Sequence, residues 1–332
     1  MKKVAILGSG AWGTTLGQVM CDSGQQVLIW GRNKKVVREI NRRNSNRKFL
    51  KGIDLPPQLK ATTDIKAALE FAEVILLAIP AQTLRENLEA WKGFFPENVP
   101  IISTLKGIEV ATQFRMTEVV QDILAIDKSR LGLITGPNLA NEIIARQPAG
   151  AVAASENPQI IALMEKLFTT EYFRIYPSDD LIGCEFAGAA KSVIAMAVGM
   201  AVGMNYGENT QGLMITRGLS EVARLGGAYG ANPLTFLGLA GIGDLVASAQ
   251  SPLSRNRSFG ELLGKTGSIV KAKQQNVKTV EGVPSAGAML ELAHRVGIEV
   301  PIIEAVSDVV AGTLTPKGAM NRLMTISIKA EI

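Results

Sequence analysis

Short runs of hydrophobic residues alternate with longer amphipathic segments over the first half of the chain. The runs are rich in Val, Ile and Leu, and segments of helical length, such as 81–91 and 111–124, separate them. Apolar runs separated by helices predict a parallel sheet covered on both faces, which is a doubly wound α/β domain. The predicted strands lie at 4–7, 27–30, 74–79, 99–104, 131–135, 149–154 and 172–176.

The pattern changes after about residue 180. No convincing strand follows, and segments rich in Ala, Gly, Met and Leu predict long helices at 181–205, 209–229, 282–296 and 301–313. Small residues, among them Gly199 and Gly203, allow such helices to approach closely. We therefore predict an α/β domain over residues 1–180 and an all-α domain over residues 181–332.

The charge balance is mildly basic, with 35 Lys and Arg against 30 Asp and Glu and a net charge of +5. Six of the cations lie in the loop-like stretch 42–60, where we expect most of them to form a solvated rim. Aromatic residues make up only 5% of the chain, so a stacking platform for nucleic acid is not expected. The surplus of cations suits small phosphorylated ligands instead.

No targeting segment, membrane span or metal site is predicted. The N-terminus leads at once into a strand and a glycine turn, unlike a signal peptide. The longest apolar stretch, 192–204, is shorter than the roughly 20 residues that a spanning helix needs. One histidine, His294, and two isolated cysteines, Cys21 and Cys184, offer neither a metal-ligand cluster nor a disulfide framework. We expect a cytoplasmic protein without stable membrane insertion.

A glycine turn directly follows the first predicted strand. Gly8, Gly10 and Gly13 form the pattern GxGxxG, and an apolar helix begins there. In this context the pattern predicts a dinucleotide site in a Rossmann-type sheet. The first glycine permits the tight turn, the second lets the backbone approach the pyrophosphate, and the third lets the helix pack on the strand. The free N–H groups at the helix start then bind the phosphates.

The end of the second strand bears on the choice of cofactor. NAD sites usually place an acid about 20 residues beyond the glycine pattern, where it binds the ribose hydroxyls. Here Gly31 and Arg32 occupy that place. Because an arginine can pair with a 2′-phosphate that an acid would repel, we predict that NADPH is accepted and preferred. The competing interpretation is that Arg32 is a cation at a helix cap.

Further candidate residues lie beside glycines and turns. Lys106 and the turn Gly136-Pro137-Asn138 follow predicted strands, at the sheet edge where ligands bind. Lys191 interrupts an apolar helix and either reaches the surface or is functional. Asp244 either serves a reaction or caps a helix. Ser254-Arg255-Asn256 offers a hydroxyl, a guanidinium and an amide for a phosphate, or is a helix start with a solvated arginine.

These segments together resemble the bacterial NAD(P)-dependent sn-glycerol-3-phosphate dehydrogenases over essentially the whole chain. Several motifs in one order are far more specific than the glycine pattern alone. The matching segments are GSGAWGT (8–14), ILLAIPA (75–81), STLKGIE (103–109), TGPNLANE (135–142), GAAKSVIAMAVG (188–199), NTQGLMITRGLSE (209–221), GLAGIGDLVAS (238–248), SRNRSFG (254–260) and VEGVPSA (280–286).

The resemblance implies a role for each matching residue. Lys191 is implied to be the proton donor and acceptor, with Lys106 as a lysine that orients the substrate and Asp244 as the acid that holds the lysine network. The implied substrate-binding residues are Lys106, Gly136, Asn138, Lys191, Asp244, Ser248, Ser254, Arg255 and Asn256. The implied cofactor-binding residues are Gly8, Gly10, Ala11, Trp12, Gly13, Arg32, Phe49, Lys106, Ala140, Arg255 and Glu281.

The reaction implied by the resemblance is the reversible reduction of glycerone phosphate to sn-glycerol 3-phosphate with NADPH or NAD(H), for glycerophospholipid biosynthesis. A homodimer is also implied.

Three positions depart from the family pattern: Ser192 replaces Asn, Ala11 replaces Ser, and Phe49 replaces an aromatic residue that is often Tyr. Two alternatives remain, a related dehydrogenase acting on a β-hydroxy acid or sugar phosphate, and a protein that senses NADPH without turnover.

Overall fold

Eight strands form one sheet in the computed structural model, which describes residues 1–276 and 279–326. The order across the sheet is β3-β2-β1-β4-β5-β6-β7-β8. The strands are β1 Lys3–Leu7, β2 Gln26–Trp30, β3 Lys60–Thr62, β4 Val74–Leu77, β5 Ile101–Ser103, β6 Leu131–Thr135, β7 Ala149–Ala154 and β8 Phe173–Ser178. The chain moves outward in opposite directions from β1, so the sheet has a topological switch point between β1 and β4, where such sheets bind ligands.

Helices cover both faces of this sheet, which confirms the predicted doubly wound class. The alternation along β1 illustrates this, because Val4 and Ile6 belong to one buried apolar cluster and Ala5 and Leu7 to another. The helices are α1 Ala11–Asp22, α2 Lys34–Arg43, α3 Ile65–Phe71, α4 Leu84–Trp91, α5 Met116–Leu124, α6 Ala140–Ile144 and α7 Pro158–Phe168.

Two features of the sheet differ from the sequence prediction. The short strand β3 lies at the end of the stretch that we predicted to be a loop. The prediction of a parallel sheet is wrong at β7, which pairs antiparallel with β6, whereas β8 is parallel to β7. A parallel crossover needs a helix that returns the chain along the strand length, and α6 has only five residues, about 7.5 Å.

The remainder of the described chain is helical, as predicted, and contains no strand after Ser178 up to residue 326, residues 277 and 278 lying outside the description. A 3₁₀ turn, Pro233–Leu237, and a π-helical turn, Leu239–Gly243, precede α10. The helices are α8 Leu181–Gly203, α9 Glu208–Ala228, α10 Asp244–Gln250, α11 Arg255–Thr266, α12 Ile269–Gln275, α13 Gly282–Arg295, α14 Pro301–Ala311 and α15 Pro316–Thr325.

The chain divides into two compact units. The first contains residues 1–106 and 114–185, and the second contains residues 107–113 and 186–332. The division falls inside α8, and the short segment after Lys106 groups with the helical unit. The domain boundary after residue 180 stays a prediction.

Helix α8 is the most apolar long helix among the described residues. It has 23 residues with a mean hydropathy of 1.6 in its most apolar window, which is long and apolar enough to cross a membrane. However, 89% of that window is buried inside the protein. Such burial is typical of a core helix in a globular protein.

Glycines join α8 to α11 in the second unit. A Cβ on Gly199 would lie 2.1 Å from the carbonyl oxygen of Arg257, and one on Gly260 would lie 2.1 Å from that of Met196. Gly203 and Gly264 make equivalent contacts one turn further along. Residue numbers rise together along both helices, so the helices run in the same direction. Lys191 and the start of α11 therefore lie toward the same end of this helix pair.

Candidate active site

The glycine turn of the first unit is built as the pattern predicts. Gly8 has a φ of +137°, and a Cβ there would lie 2.2 Å from the carbonyl oxygen of Ala78. A Cβ on Gly13 would lie 2.1 Å from the carbonyl oxygen of Gly8. By contrast, nothing lies within 4 Å of the place that a Cβ would take on Gly10. Two of the glycines are thus required by close packing, and the third borders open space, which fits the pyrophosphate of a dinucleotide.

Helix α1 begins at this turn with Ala11 and Trp12. Its N-cap is Gly10, which has no side chain to accept a hydrogen bond from the first N–H groups. Helix starts of this kind present free N–H groups and the positive end of the helix dipole to an anion. The chain's own residues therefore fit the phosphates of NAD or NADP.

Arg32 lies at the same edge of the sheet. The N–H of Gly8 donates to the carbonyl oxygen of Trp30 at 3.0 Å, which joins the glycine turn to the end of β2. Arg32 is exposed. Its neighbour Asn33 caps α2, because the Asn33 side chain accepts from the N–H groups of Lys35 and Val36. Arg32 is therefore not the cap of this helix, and its guanidinium lies at the surface.

The stretch 42–60, which we predicted to be a solvated loop, is partly buried. The six cations in it are exposed, as predicted. Asn46, however, is completely buried, and its amide donates to the carbonyl oxygen of Ser9 at 3.1 Å and to the hydroxyl of Thr14 at 2.9 Å. Phe49 is 42% exposed in the same stretch.

Lys106 and the turn after β6 meet at the carboxyl edge of the sheet. Lys106 Nζ donates to the carbonyl oxygen of Gly136 at 2.9 Å. Asn138 follows in this turn, and both polar atoms of its side chain are buried without a hydrogen-bond partner among the described residues. A buried amide without partners is rare in folded proteins, so this amide is available to a ligand. Ala140 begins α6 directly afterwards.

The second unit brings Lys191, Asp244 and Ser248 into one hydrogen-bonded cluster. Lys191 Nζ lies 3.1 Å from Asp244 Oδ1 and donates to Ser248 Oγ at 2.7 Å. Ser248 Oγ lies 3.3 Å from the same Asp244 oxygen. The Asp244 side chain is 2% exposed and that of Lys191 15% exposed. The amine thus does not extend into solvent, and Asp244 is the first residue of α10 rather than its cap.

Two further predicted segments, 254–260 and 280–286, meet beside the segment that carries Lys191. The N–H of Gly282 donates to Asn256 Oδ1 at 3.0 Å. A Cβ on Gly282 would lie 2.7 Å from the carbonyl oxygen of Ser192. Because Gly282 follows Glu281, the turn that carries this predicted cofactor contact packs against both the lysine segment and the Asn256 amide.

The start of α11 has the character of an anion site. Ser254 is its N-cap and accepts from the N–H of Arg257 at 3.3 Å. Arg255 is the first helical residue and is exposed. The helix-start interpretation is therefore right about the backbone, and it is compatible with phosphate binding because helix N-termini attract anions.

The remaining reactive side chains are poorly suited to catalysis. Burial raises the pKa of Cys21 and of Cys184 to about 12, so neither thiol is a nucleophile at neutral pH. His294 is exposed on α13. No cluster of three or more His, Cys, Asp or Glu residues able to hold a metal occurs in residues 1–276 and 279–326.

Buried polar residues outside the predicted site surround the glycine turn and the turns at the strand ends. Besides Asn46 and Thr14, Thr135 has a buried hydroxyl without a hydrogen-bond partner among the described residues, directly before Gly136. No charge or spacing distinguishes such residues from solvated polar ones, so only the folded structure identifies them.

The first unit is a doubly wound sheet with a dinucleotide-binding turn, and in the helical unit Asp244 and Ser248 hold the amine of Lys191. This combination is that of a nicotinamide-dependent oxidoreductase. Family models for the N-terminus and C-terminus of NAD-dependent glycerol-3-phosphate dehydrogenase match residues 3–161 and 180–321. The chain belongs to this family, and it uses NAD or NADP.

Individual relatives agree with the family models. A glycerol-3-phosphate dehydrogenase [NAD(P)+] of Thermobifida fusca is 46% identical over 332 residues, covering 100% of this chain and 99% of the relative. One from Streptomyces coelicolor is 44% identical over 329 residues, covering 99% and 98%. The crystal structure of a glycerol-3-phosphate dehydrogenase from Coxiella burnetii superposes with a TM-score of 0.92 at 33% identity, covering 98% of this chain and 99% of that one.

Proposed function

We propose that this protein catalyses the reversible reduction of glycerone phosphate to sn-glycerol 3-phosphate with NADPH or NADH. The observation that carries the proposal is the buried cluster in which Asp244 and Ser248 hold the amine of Lys191. A nicotinamide dinucleotide held by the glycine turn and the start of α1 would supply the hydride that the carbonyl carbon needs. The protein supplies position, charge and a proton.

Lys191 acts on the carbonyl oxygen. As the carbonyl carbon is reduced, its oxygen gains negative charge, and a cation directed at that oxygen stabilises the transition state more than the ground state. The ammonium then gives one of its protons to this oxygen and becomes an amine, and in the reverse reaction the amine takes the proton back. Asp244 and Ser248 hold the amine together, because each lies within hydrogen-bond distance of the lysine nitrogen and of the other.

The substrate's phosphate supplies binding energy away from the reacting carbon. Ser254, Arg255 and Asn256 stand at the start of α11, where a hydroxyl, a guanidinium, an amide and the helix dipole all favour a dianion. Because the phosphate group is remote from the carbonyl carbon, the energy gained by binding it serves to orient the carbonyl for reaction. Lys106, Gly136 and Asn138 are proposed to contact the substrate, with Lys106 orienting it.

Cofactor binding is assigned to the glycine turn with Ala11 and Trp12, to Arg32 and Phe49, and to Lys106, Ala140, Arg255 and Glu281. Arg32 favours NADPH, because it is exposed just beyond the end of β2, which is bonded to the glycine turn, and it stands where NAD sites usually have an acid. The three departures, Ala11, Phe49 and Ser192, remove neither the proton-transferring amine nor the phosphate-binding arginine.

The biological setting follows from the reaction. We propose a soluble cytoplasmic homodimer that supplies glycerol 3-phosphate for glycerophospholipid biosynthesis. It binds no nucleic acid and does not insert into membranes, and the 89% burial of the most apolar window of α8 supports the second statement.

The test is an assay of NADPH oxidation by the purified protein with three carbonyl substrates: glycerone phosphate, dihydroxyacetone and a β-keto acid. We expect rapid turnover of glycerone phosphate, much slower turnover of dihydroxyacetone, and none of the keto acid. Faster reduction of the keto acid would instead identify a related dehydrogenase. NADPH binding without any turnover would identify a sensor.

A further inference from the structure

We propose that Asn46 is a positioning residue that joins the glycine turn to the turn carrying Phe49 and thereby sets the affinity for the dinucleotide. The inference rests on the proposed cofactor site and deepens it, because Asn46 has no exposed surface and acts on the cofactor through its neighbours. Its effect passes through Ser9, Thr14 and Phe49.

The side chain of Asn46 fixes the glycine turn from behind. One amide donates to two acceptors, the carbonyl oxygen of Ser9 at 3.1 Å and the hydroxyl of Thr14 at 2.9 Å. Ser9 lies between Gly8 and Gly10, and Thr14 follows Gly13 in the first turns of α1. The two bonds therefore hold the turn and the helix start in one relative position.

The main chain of Asn46 fixes a second segment. Its carbonyl oxygen accepts from the N–H of Phe49 at 3.1 Å and from that of Leu50 at 2.8 Å, which closes a tight turn. Leu50 is buried at the base of this turn, whereas Phe49 is 42% exposed. One residue thus joins the phosphate-binding turn to the aromatic ring that is proposed to contact the cofactor.

Burial shows that the residue acts indirectly. Asn46 has no exposed surface, and Thr14 has none either, so a ligand at the glycine turn does not reach the amide. Both amide protons are used, and only a side chain with two donors can serve both acceptors at once. An aspartate at this position would place a negative oxygen against the Ser9 carbonyl, close to the proposed phosphate site.

The experiment compares dissociation constants for NADPH, measured by quenching of tryptophan fluorescence in the full chain. We expect Asn46→Ala to raise the Kd for NADPH about tenfold, equivalent to about 1.4 kcal/mol, while the KM for glycerone phosphate stays within about twofold. A Kd within about twofold of wild type would overturn the proposal.

Asn41→Ala is the matched control. Asn41 also bridges two elements through its amide, donating to the carbonyl oxygen of Ala61 and accepting from its N–H, each at 2.8 Å. Neither of these bonds involves the glycine turn. We expect both variants to lose thermal stability and only Asn46→Ala to lose NADPH affinity. An equal loss of affinity in both would reduce Asn46 to a general structural role.

One further variant, Thr14→Val, keeps the proposal open to refutation if Asn46→Ala does not fold. Thr14→Val removes one acceptor while keeping the side-chain shape, and we expect it to raise the Kd about threefold, against no change if the coupling is absent. The double variant Asn46→Ala/Phe49→Ala should lose less affinity than the sum of its single variants. Strict additivity would contradict coupling through Phe49.

The outcome is separable from that of the proposed function. A wild-type protein that binds NADPH but does not reduce glycerone phosphate refutes the proposed substrate, and the comparison of Kd values still decides the case for Asn46. A wild-type protein that does not bind NADPH refutes both.

Discussion

At the scale of single residues, the decisive contrast lies between the two lysines and the two arginines of the proposed site. Lys191 and Lys106 are both held by oxygen atoms, Lys191 by Asp244 and Lys106 by the carbonyl of Gly136. Arg32 and Arg255 are instead exposed at the ends of elements. Fixed amines suit reaction chemistry, and exposed guanidiniums suit binding of phosphates that arrive from solvent.

Arg255→Ala tests the proposed phosphate site. We expect the KM for glycerone phosphate to rise by about 10- to 100-fold, because a charge-assisted contact with a dianion is lost. The penalty should shrink to within about twofold with dihydroxyacetone, which has no phosphate. Steady-state kinetics with both ketones measures this, and an equal penalty on both would argue against phosphate recognition.

Arg32→Ala tests the choice of cofactor. The wild type should show a higher kcat/KM with NADPH than with NADH, and the variant should lose about tenfold with NADPH and little with NADH. Both values come from initial rates at fixed glycerone phosphate. A wild type that strongly prefers NADH would refute the assignment of Arg32 to the 2′-phosphate.

At the scale of elements, the close contact of α8 with α11 joins the helix that carries Lys191 to the helix that begins at the proposed phosphate site. Glycines form this contact on both helices, and each added Cβ would meet a backbone oxygen rather than a movable side chain. The small residues of α8 are visible in the sequence and predict close approach. Their partner helix is not predictable, because no local pattern states which helix will lie opposite.

Gly260→Ala should therefore destabilise the protein by about 1–3 kcal/mol and lower its Tm, since a Cβ there would lie 2.1 Å from the carbonyl oxygen of Met196. Gly212→Ala in α9 is the control, because nothing lies within 4 Å of its added Cβ. That substitution should stabilise the helix by about 0.5–1 kcal/mol. Chemical denaturation of both variants measures the difference, and equal effects would disprove the close helix contact.

A buried carboxyl joins α9 to α14 in the same unit. Glu221 accepts from the N–H of Ile302 at 2.9 and 3.0 Å and from that of Ile303 at 3.3 Å. Burial raises the pKa of Glu221 to about 7, although these N–H groups and the nearby Arg224 and Arg217 lower it. The carboxyl is therefore protonated over part of the pH range in which an exposed glutamate is charged.

The folded chain binds this proton more tightly than the unfolded chain. The contribution of Glu221 to the free energy of unfolding is therefore present below about pH 4.5 and is lost as the pH rises toward about 7. Glu221→Gln should remove this part of the decline. Thermal melts of wild type and variant across that window give the comparison, and parallel curves would show that Glu221 titrates normally.

At the scale of the whole molecule, the sequence predicts the class of each half and the principal candidates for the site. Three features can be recognised in the sequence alone: the apolar runs of the strands, the glycine pattern and the lysine in an apolar helix. The antiparallel direction of β7 and the buried amides of Asn46 and Asn138 carry no such signal. Direction depends on the length of the connecting helix, and the environment of an amide depends on segments that are distant in the sequence.

The central claim is that the amine of Lys191 transfers the proton and stabilises the developing oxygen charge. The most direct measurement is the kcat of Lys191→Ala for glycerone phosphate, with the Kd for NADPH measured in parallel. Lys265→Ala is the control, since this lysine is 58% exposed and pairs with Glu261 on the surface of α11. We expect kcat to fall by about 10²- to 10⁴-fold in Lys191→Ala, the Kd to stay within about twofold, and the control to match wild type. Turnover by Lys191→Ala at the wild-type rate would contradict the account.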